Sequence, residues 1–145
     1  MTVVITTMDQ MKTYAGDLLQ ALRRFRTKDS TTFLTLEGPL GAGKTTLVQH
    51  LASLLGVSVP VTSPTFTLRS EYETTDALFQ SLVHIDAYRI EGDRDGATLG
   101  WHDLSCNGEM LVAVEWPERV QSFLPEHRYD VTITLDGDTR TITAP

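Results

Sequence analysis

The stretch Gly38-Pro39-Leu40-Gly41-Ala42-Gly43-Lys44-Thr45-Thr46 matches the phosphate-binding loop pattern G-x-x-x-x-G-K-[ST] in full. Residues 33–37 before it read as a strand, and apolar residues after it recur at helical spacing: Leu47, Val48, Leu51, Leu54 and Leu55. A strand that enters the loop and a helix that leaves it form the setting in which this pattern holds phosphate. The stretch therefore predicts an α/β nucleotide-binding fold.

The residue types of this loop suit phosphate binding. Glycine lets backbone N–H groups turn inward around phosphate oxygens, because a Cβ would block the approach. We expect the Lys44 ammonium to reach the β- and γ-phosphates and the Thr45 hydroxyl to bind Mg²⁺. The helix that begins here directs the positive end of its dipole at the same anion.

The length and composition predict one soluble domain over residues 1–145, large enough for its own core. No apolar run approaches the roughly 20 residues that cross a bilayer, and residues 1–7 do not resemble a signal peptide. The lone Cys106 cannot form an internal disulfide, which fits a reducing compartment. We therefore expect a cytoplasmic protein without membrane contact.

An amphipathic helix is predicted over residues 8–26, where apolar residues recur at helical spacing. Thr7 is its expected N-cap, and Gln10 completes a capping box. Three arginines cluster at its C-terminal end, where they complement the helix dipole, and we interpret them as a solvated helix end: Arg23, Arg24 and Arg26.

The remaining strand patterns predict a mixed sheet. Residues 66–72 and 82–85 lie close together in the chain, which favours an antiparallel hairpin added to a parallel sheet. Residues 110–114 read as a buried strand, and Asp136-Gly137-Asp138 between alternating runs predicts a C-terminal hairpin. The expected fold is a single P-loop NTPase domain with a mixed, mostly parallel sheet and flanking helices. Residues 87–108, rich in glycine and charge, predict a loop with at most one short helix.

Two acidic residues follow hydrophobic strands and are the candidate partners of the loop. Asp86 ends residues 82–85, and Glu115 ends residues 110–114. Ligands of parallel sheets bind beyond the carboxyl ends of the strands, so both carboxylates are expected at the phosphates. One would hold Mg²⁺ and the other would orient the attacking water, and the sequence leaves the assignment open. His84 alternates with apolar residues and is interpreted as a core histidine with its polar atoms satisfied.

Four motifs in order resemble those of the TsaE (YjeE) family. They are residues 38–46, Ser63-Pro64-Thr65-Phe66-Thr67, His84-Ile85-Asp86-Ala87-Tyr88-Arg89, and Val114-Glu115-Trp116-Pro117-Glu118. This family consists of bacterial P-loop ATPases required for threonylcarbamoyladenosine at position 37 of tRNAs that read codons beginning with A. The last two motifs, with His-x-Asp-x-Tyr-Arg and Glu-Trp-Pro, are far more specific than the phosphate loop alone.

The resemblance implies roles for particular residues. Phosphate and Mg²⁺ binding would fall to the loop with Lys44, Thr45 and Thr46, and the catalytic acids would be Asp86 and Glu115. The segment Ser63, Pro64, Thr65, Phe66 would act as a switch-like loop that senses the γ-phosphate, a role that its hydroxyl groups also allow. By the same analogy, further nucleotide contacts are expected from Asp9, Trp116 and Glu118.

The resemblance also implies partners. It predicts an ATPase that is slow alone, is a monomer alone, and works with TsaD and TsaB. The net charge of −7 argues against a stand-alone nucleic-acid binder, so tRNA contact is expected only indirectly, through the complex. The alternative is a small-molecule kinase of the P-loop class, although no lid-length insertion is evident. A GTP switch is rejected, because residues 27–30 are out of pattern for guanine recognition and precede the phosphate loop.

Overall fold

Seven strands and four α-helices make up the computed structural model, which describes residues 1–63 and 68–145 apart from the Asp93 side chain. The strands are β1 (Thr2–Ile5), β2 (Thr32–Glu37), β3 (Arg69–Glu73), β4 (Ser81–Asp86), β5 (Met110–Glu115), β6 (Tyr129–Asp136) and β7 (Thr139–Thr143). The helices are α1 (Met8–Phe25), α2 (Lys44–Leu54), α3 (Gly92–Gly96) and α4 (Trp101–Leu104). Single 3₁₀ turns occur at Ala97–Leu99, Pro117–Arg119 and Gln121–Phe123.

All seven strands belong to one sheet with the order β1-β7-β6-β2-β5-β4-β3. The four central strands, β6, β2, β5 and β4, run parallel, and the edges are antiparallel pairs. The predicted α/β class with a mixed sheet is therefore confirmed. In register, Leu36 of β2 and Asp86 of β4 both pair with Glu115 of β5. The carboxyl ends of these three strands thus meet at one edge of the sheet.

The central strands are apolar because both of their faces are covered. Every residue of β5 is buried, as expected for a parallel strand between two layers. Its residues alternate between two hydrophobic clusters: Leu111 and Ala113 face the cluster that holds α1 and α2, while Val112 and Val114 face the cluster beneath residues 87–104. This alternation decides which side chains of β4 and β5 point toward α2.

Helix α1 begins as predicted. The Gln10 N–H donates to the Thr7 hydroxyl at 3.2 Å, and the Gln10 side-chain oxygen accepts the Thr7 N–H at 3.1 Å, which completes the capping box. The interpretation of a solvated C-terminal end is wrong for two of the three arginines. Arg23 forms an ion pair with Asp76, and Arg26 donates to the Gly108 carbonyl at 2.6 Å, because the chain folds back against this end of the helix. Only Arg24 is exposed.

Both predicted hairpins form. The β3–β4 pair is antiparallel, and β3 begins at Arg69, because Leu68 has a left-handed backbone with a φ of 59°. Residues 66–67 of the predicted strand lie outside the described residues. In the C-terminal hairpin Asp136 pairs with Thr139, and Gly137 takes a φ of +60° in the two-residue turn, a conformation that glycine adopts without strain. Residues 87–108 hold two short helices, α3 and α4, instead of at most one. In the part of the chain that is described, no helix has the length and apolar character to span a membrane.

Candidate functional site

The phosphate loop joins β2 to α2 at the carboxyl edge of the parallel strands. Gly43, the N-cap of α2, has a φ of +102°, a conformation that strains residues with a Cβ. A Cβ on Gly38 would lie 2.6 Å from the Ile133 carbonyl oxygen of β6, so the loop packs against the sheet only with glycine there. No side chain caps α2 among the described residues, so its first N–H groups are free to meet an anion.

Lys44 lies at the mouth of this loop and is only 5% exposed. Its Nζ donates to the carbonyl oxygens of Gly38 at 2.5 Å and Pro39 at 2.8 Å, and it lies 4.3 Å from the centre of the Trp116 ring. Burial lowers the pKa of Lys44, and the nearby carboxylates, Glu115 first among them, oppose that shift. The ammonium is therefore held in a partly desolvated position, where an added phosphate charge would stabilise it.

Glu115 and Thr45 are in direct contact. The Thr45 hydroxyl lies 3.0 Å from Oε1 and 2.9 Å from Oε2 of Glu115, and 3.2 Å from the Ser63 hydroxyl. Glu115 is 3% exposed, so its charge is screened little by solvent. These oxygens come from the first turn of α2, the end of β5 and the segment after α2, which the fold brings to one point.

Asp86 stands beside Glu115 on the neighbouring strand. Its Oδ1 accepts the Tyr88 N–H at 3.1 Å. Burial raises the pKa of Asp86, and the charge of Glu115 raises it further, while the Tyr88 bond, His84 and Lys44 act in the opposite direction. Both predicted acids therefore lie beside the phosphate loop, but of these two acids only Glu115 is hydrogen-bonded to the Thr45 hydroxyl among the described contacts.

Trp116 closes the site from the side of β5. Its backbone is left-handed, with φ 59° and ψ 52°, which is uncommon for a bulky residue and typical of functional positions. Its ring contacts the Tyr88 ring at a centroid distance of 5.0 Å, and the Arg119 guanidinium lies 5.9 Å from it. The turn after Glu115 thus directs an aromatic side chain over Lys44.

The three other predicted positions lie in different surroundings. Glu118, in the 3₁₀ turn after Trp116, is exposed, and its charge acts on the pKa of Lys44. Asp9 is exposed in the first turn of α1 and lines a shallow depression with Gln10 and Thr13. Ser63 contacts Thr45, whereas the rest of the predicted switch-like loop, Pro64, Thr65 and Phe66, lies outside the described residues.

Two residues of the site were not predicted from the sequence as contacts. His84 is a core residue, as interpreted, but its polar atoms are only half satisfied: Nε2 lies 2.5 Å from Oε2 of Glu115, a candidate catalytic acid, and Nδ1 has no partner among the described residues. Arg140 of β7 donates to the carbonyl oxygens of Ala42 at 2.8 Å and Gly41 at 3.1 Å, which ties the phosphate loop to the C-terminal hairpin. The His-x-Asp spacing on a strand was a usable signal for His84, because alternate residues share a face. No local pattern marks Arg140.

A small pocket of about 80 Å³ opens next to this tether. It lies between the phosphate loop and the start of α1 and is lined by Ile5, Thr6, Thr7, Met8, Met11, Gly43, Thr46 and Arg140. Chemically, the site offers amides and an ammonium for an anion. Beside them it offers hydroxyl and carboxylate oxygens for a hard cation.

Comparisons with known proteins agree on one family. The model of TsaE, described as threonylcarbamoyl adenosine biosynthesis protein TsaE, matches residues 5–142. The tRNA threonylcarbamoyladenosine biosynthesis protein TsaE of Bacillus subtilis is 40% identical over 105 residues, which cover 72% of this chain and 63% of that protein. The protein of the same name from a Nostoc species is 36% identical over 146 positions, covering 95% of this chain and 86% of that protein.

The solved structures point the same way. The crystal structure of Bacillus subtilis YdiB superposes with a TM-score of 0.67 at 30% identity, over 99% of this chain and 83% of that one. The matched region spans less than two thirds of the Bacillus subtilis TsaE sequence, at 63%, but most of the Nostoc sequence, at 86%. With a family model that matches nearly the whole chain and a P-loop fold in common with YdiB, the chain belongs to the TsaE family.

Proposed function

We propose that this chain is a single-domain, Mg²⁺-dependent ATPase that supports threonylcarbamoyl modification of adenosine 37 in tRNAs reading codons that begin with A. The observation that carries the catalytic part is the contact of the Thr45 hydroxyl with both Glu115 oxygens, at 2.9 and 3.0 Å, next to Lys44. The name that the relatives share supports the pathway.

The oxygen set fits magnesium. Mg²⁺ prefers oxygen ligands and is held by one or two carboxylates together with substrate phosphates and water. Thr45 and Glu115 offer such oxygens within 3.0 Å of each other, at the phosphate loop. We therefore propose Thr45 and Glu115 as the direct ligands. When bound, the ion would neutralise charge on the phosphates.

The remaining steps are assigned to residues of the chain. The loop N–H groups and Lys44 bind the phosphates, and the bonds of Lys44 to the Gly38 and Pro39 carbonyls keep its ammonium at the loop until phosphate oxygens replace them. Asp86 orients the attacking water and accepts its hydrogen bond. Burial raises the pKa of Asp86, which moves this carboxylate toward the range of a general base.

We further propose that Trp116 and Glu118 contact the nucleotide from the β5 side and Asp9 from the α1 side. The ring of Trp116 supports its assignment, because it already lies 4.3 Å from Lys44 Nζ. The segment Ser63–Phe66 would report the γ-phosphate, and the 3.2 Å contact between the Ser63 and Thr45 hydroxyls supports that link. Such ordering by phosphate and Mg²⁺ is a known switch device.

The proposal includes partners and compartment. The chain would be a cytoplasmic monomer that hydrolyses ATP slowly alone and acts with TsaD and TsaB, reaching tRNA only through them. Its net charge of −7 supports the indirect role, because a protein that binds tRNA by itself needs cations for the phosphates.

Hydrolysis by the purified chain tests the catalytic part. We expect Mg²⁺-dependent release of ADP and inorganic phosphate in equal amounts, without any acceptor, and Lys44→Ala should abolish it while leaving the circular dichroism spectrum unchanged. An unchanged rate in a folded Lys44→Ala protein contradicts the assignment. ADP formation that requires a small-molecule acceptor, with the γ-phosphoryl group recovered on that acceptor and not as inorganic phosphate, would instead establish the kinase alternative.

A further inference from the structure

We propose that His84 is a positioning residue that holds the Glu115 carboxylate in the orientation required for Mg²⁺. This inference rests on the proposed role of Glu115 as a metal ligand. It concerns a side chain that is hydrogen-bonded to Glu115 and, among the described hydrogen bonds, to neither the phosphate loop nor Thr45.

The sheet register places the two side chains together. His84 of β4 pairs with Ala113 of β5, and Glu115 lies two residues further along β5, so His84 and Glu115 are diagonal neighbours on one face. Ala113 belongs to the cluster on the α2 side of the sheet, so this is the face from which Thr45 approaches. A histidine at this register position therefore lies within reach of the carboxylate, and its Nε2 contacts Oε2 of Glu115 at 2.5 Å.

The buried Glu115 carboxylate needs hydrogen-bond donors, and His84 is one of them. His84 is fully buried and Glu115 is 3% exposed, and a buried charge is costly unless it is hydrogen-bonded. Glu115 has two donors among the described residues, the Thr45 hydroxyl and Nε2 of His84. We assign the proton of the ring to Nε2, because Nδ1 has no partner in the described part of the chain.

The two donors are not equivalent once a cation binds. In the proposed site Thr45 would hold the ion together with Glu115, whereas His84 would contact the carboxylate alone. His84 then remains as the donor that keeps Glu115 fixed. Partners of this kind orient carboxylate ligands, and their loss typically weakens metal binding about 10- to 100-fold.

Substitutions that differ in reach test this role. The side-chain amide of His84→Gln can place its NH₂ near the position of Nε2, whereas that of His84→Asn is too short and His84→Leu has no donor. His50 of α2 offers a matched control, since its Nε2 is also buried and has no partner among the described residues. His50→Leu therefore removes a histidine with no link to Glu115.

The readout is binding of Mn²⁺, used as a spectroscopic substitute for Mg²⁺, by electron paramagnetic resonance in the presence of ADP. We expect His84→Leu and His84→Asn to weaken Mn²⁺ binding about 10- to 100-fold, while His84→Gln and His50→Leu stay within about threefold of the wild type. Affinity for a fluorescent ADP analogue without metal should be unchanged in all four, which separates metal positioning from general damage to the site.

Two results would overturn the inference. One is a wild-type affinity for Mn²⁺ in folded His84→Asn or His84→Leu. The other is a loss of Mn²⁺ affinity in His84→Gln as large as that in His84→Asn, which would indicate that packing and not the hydrogen bond matters. If His84→Leu does not fold, the Mn²⁺ affinities of His84→Gln and His84→Asn still test the inference. Glu115→Ala is measured alongside: normal Mn²⁺ binding there refutes the metal role of Glu115, whereas a loss there without any effect at position 84 refutes only the role of His84.

Discussion

Removing the Arg140 tether should weaken nucleotide binding without unfolding the protein. Arg140 donates two hydrogen bonds to the outer side of the phosphate loop, to the carbonyl oxygens of Ala42 and Gly41 at 2.8 and 3.1 Å. These bonds fix the two peptide groups that follow Gly41 and Ala42, so we expect them to keep the loop in the shape in which it binds phosphate. We therefore expect Arg140→Ala to loosen the loop, so that nucleotide binding has to restore its order.

The geometry sets the size of this effect. A net hydrogen bond contributes about 0.5–1.5 kcal/mol, and more where the donor is charged. Because Arg140 is half-buried, we take about 1 kcal/mol for each bond, or about 2 kcal/mol together. At 1.4 kcal/mol for each factor of ten, the loss corresponds to at most about 30-fold in affinity. We expect Arg140→Ala to lower the ATP affinity about 10- to 30-fold. The affinity of Arg140→Lys should lie between those of the wild type and Arg140→Ala.

Calorimetric titration of the nucleotide, with the melting temperature recorded for each variant, measures this effect. Arg24→Ala is the control for charge, because it removes an exposed arginine from the far end of α1. If Arg140→Ala binds ATP as tightly as the wild type, the loop does not depend on the tether. An equal loss in Arg24→Ala would show that net charge, and not the two hydrogen bonds, controls the affinity.

Two further predictions concern the acidic residues. Asp86→Asn and Glu115→Gln should each lower the rate of ATP hydrolysis by a factor of about 10² or more. Only the defect of Glu115→Gln should respond to raised Mg²⁺. Wild-type rates in both variants would contradict the proposed roles of the two acids. For Asp76, burial raises the pKa, but bonds from the Phe79 and Leu78 N–H groups and from Arg23 outweigh it, so the folded pKa is below 3.8. The Asp76 carboxylate thus stabilises the folded state fully above pH 3.8, the ordinary pKa of the group. This contribution is lost as the pH falls through the folded pKa. Asp76→Ala should lower the free energy of unfolding at pH 7 by about 1–2 kcal/mol, and a difference from wild type that persists undiminished at pH 2 would contradict this reasoning.

Much of the fold follows from local signals in the sequence. The phosphate loop required a strand before it and a helix after it, and the capping box of Thr7 and Gln10 marked the start of α1. Asp-Gly at the tip of the C-terminal hairpin indicated its turn. Each of these depends on neighbours within a few residues, and therefore short patterns carry the information.

The missed contacts are those that join distant parts of the chain. His84 and Glu115 are 31 residues apart, and Arg140 lies 98 residues from Ala42. No periodicity relates such pairs, because their meeting depends on strand order and register. In the same way, Arg23 meets Asp76 only because the chain returns past the end of α1. Residues 87–108 gave weak signals, since short helices such as α3 and α4 depend more on packing than on propensity.

The most direct test of the central claim is multiple-turnover tRNA modification by this chain with its cognate TsaD and TsaB. We predict that threonylcarbamoyladenosine accumulates over many turnovers with the wild-type chain and ATP, that complex formation depends on ATP, and that Lys44→Ala stops product formation after about one turnover. Equal accumulation over many turnovers with folded Lys44→Ala, or no complex with any nucleotide, would contradict the proposed function.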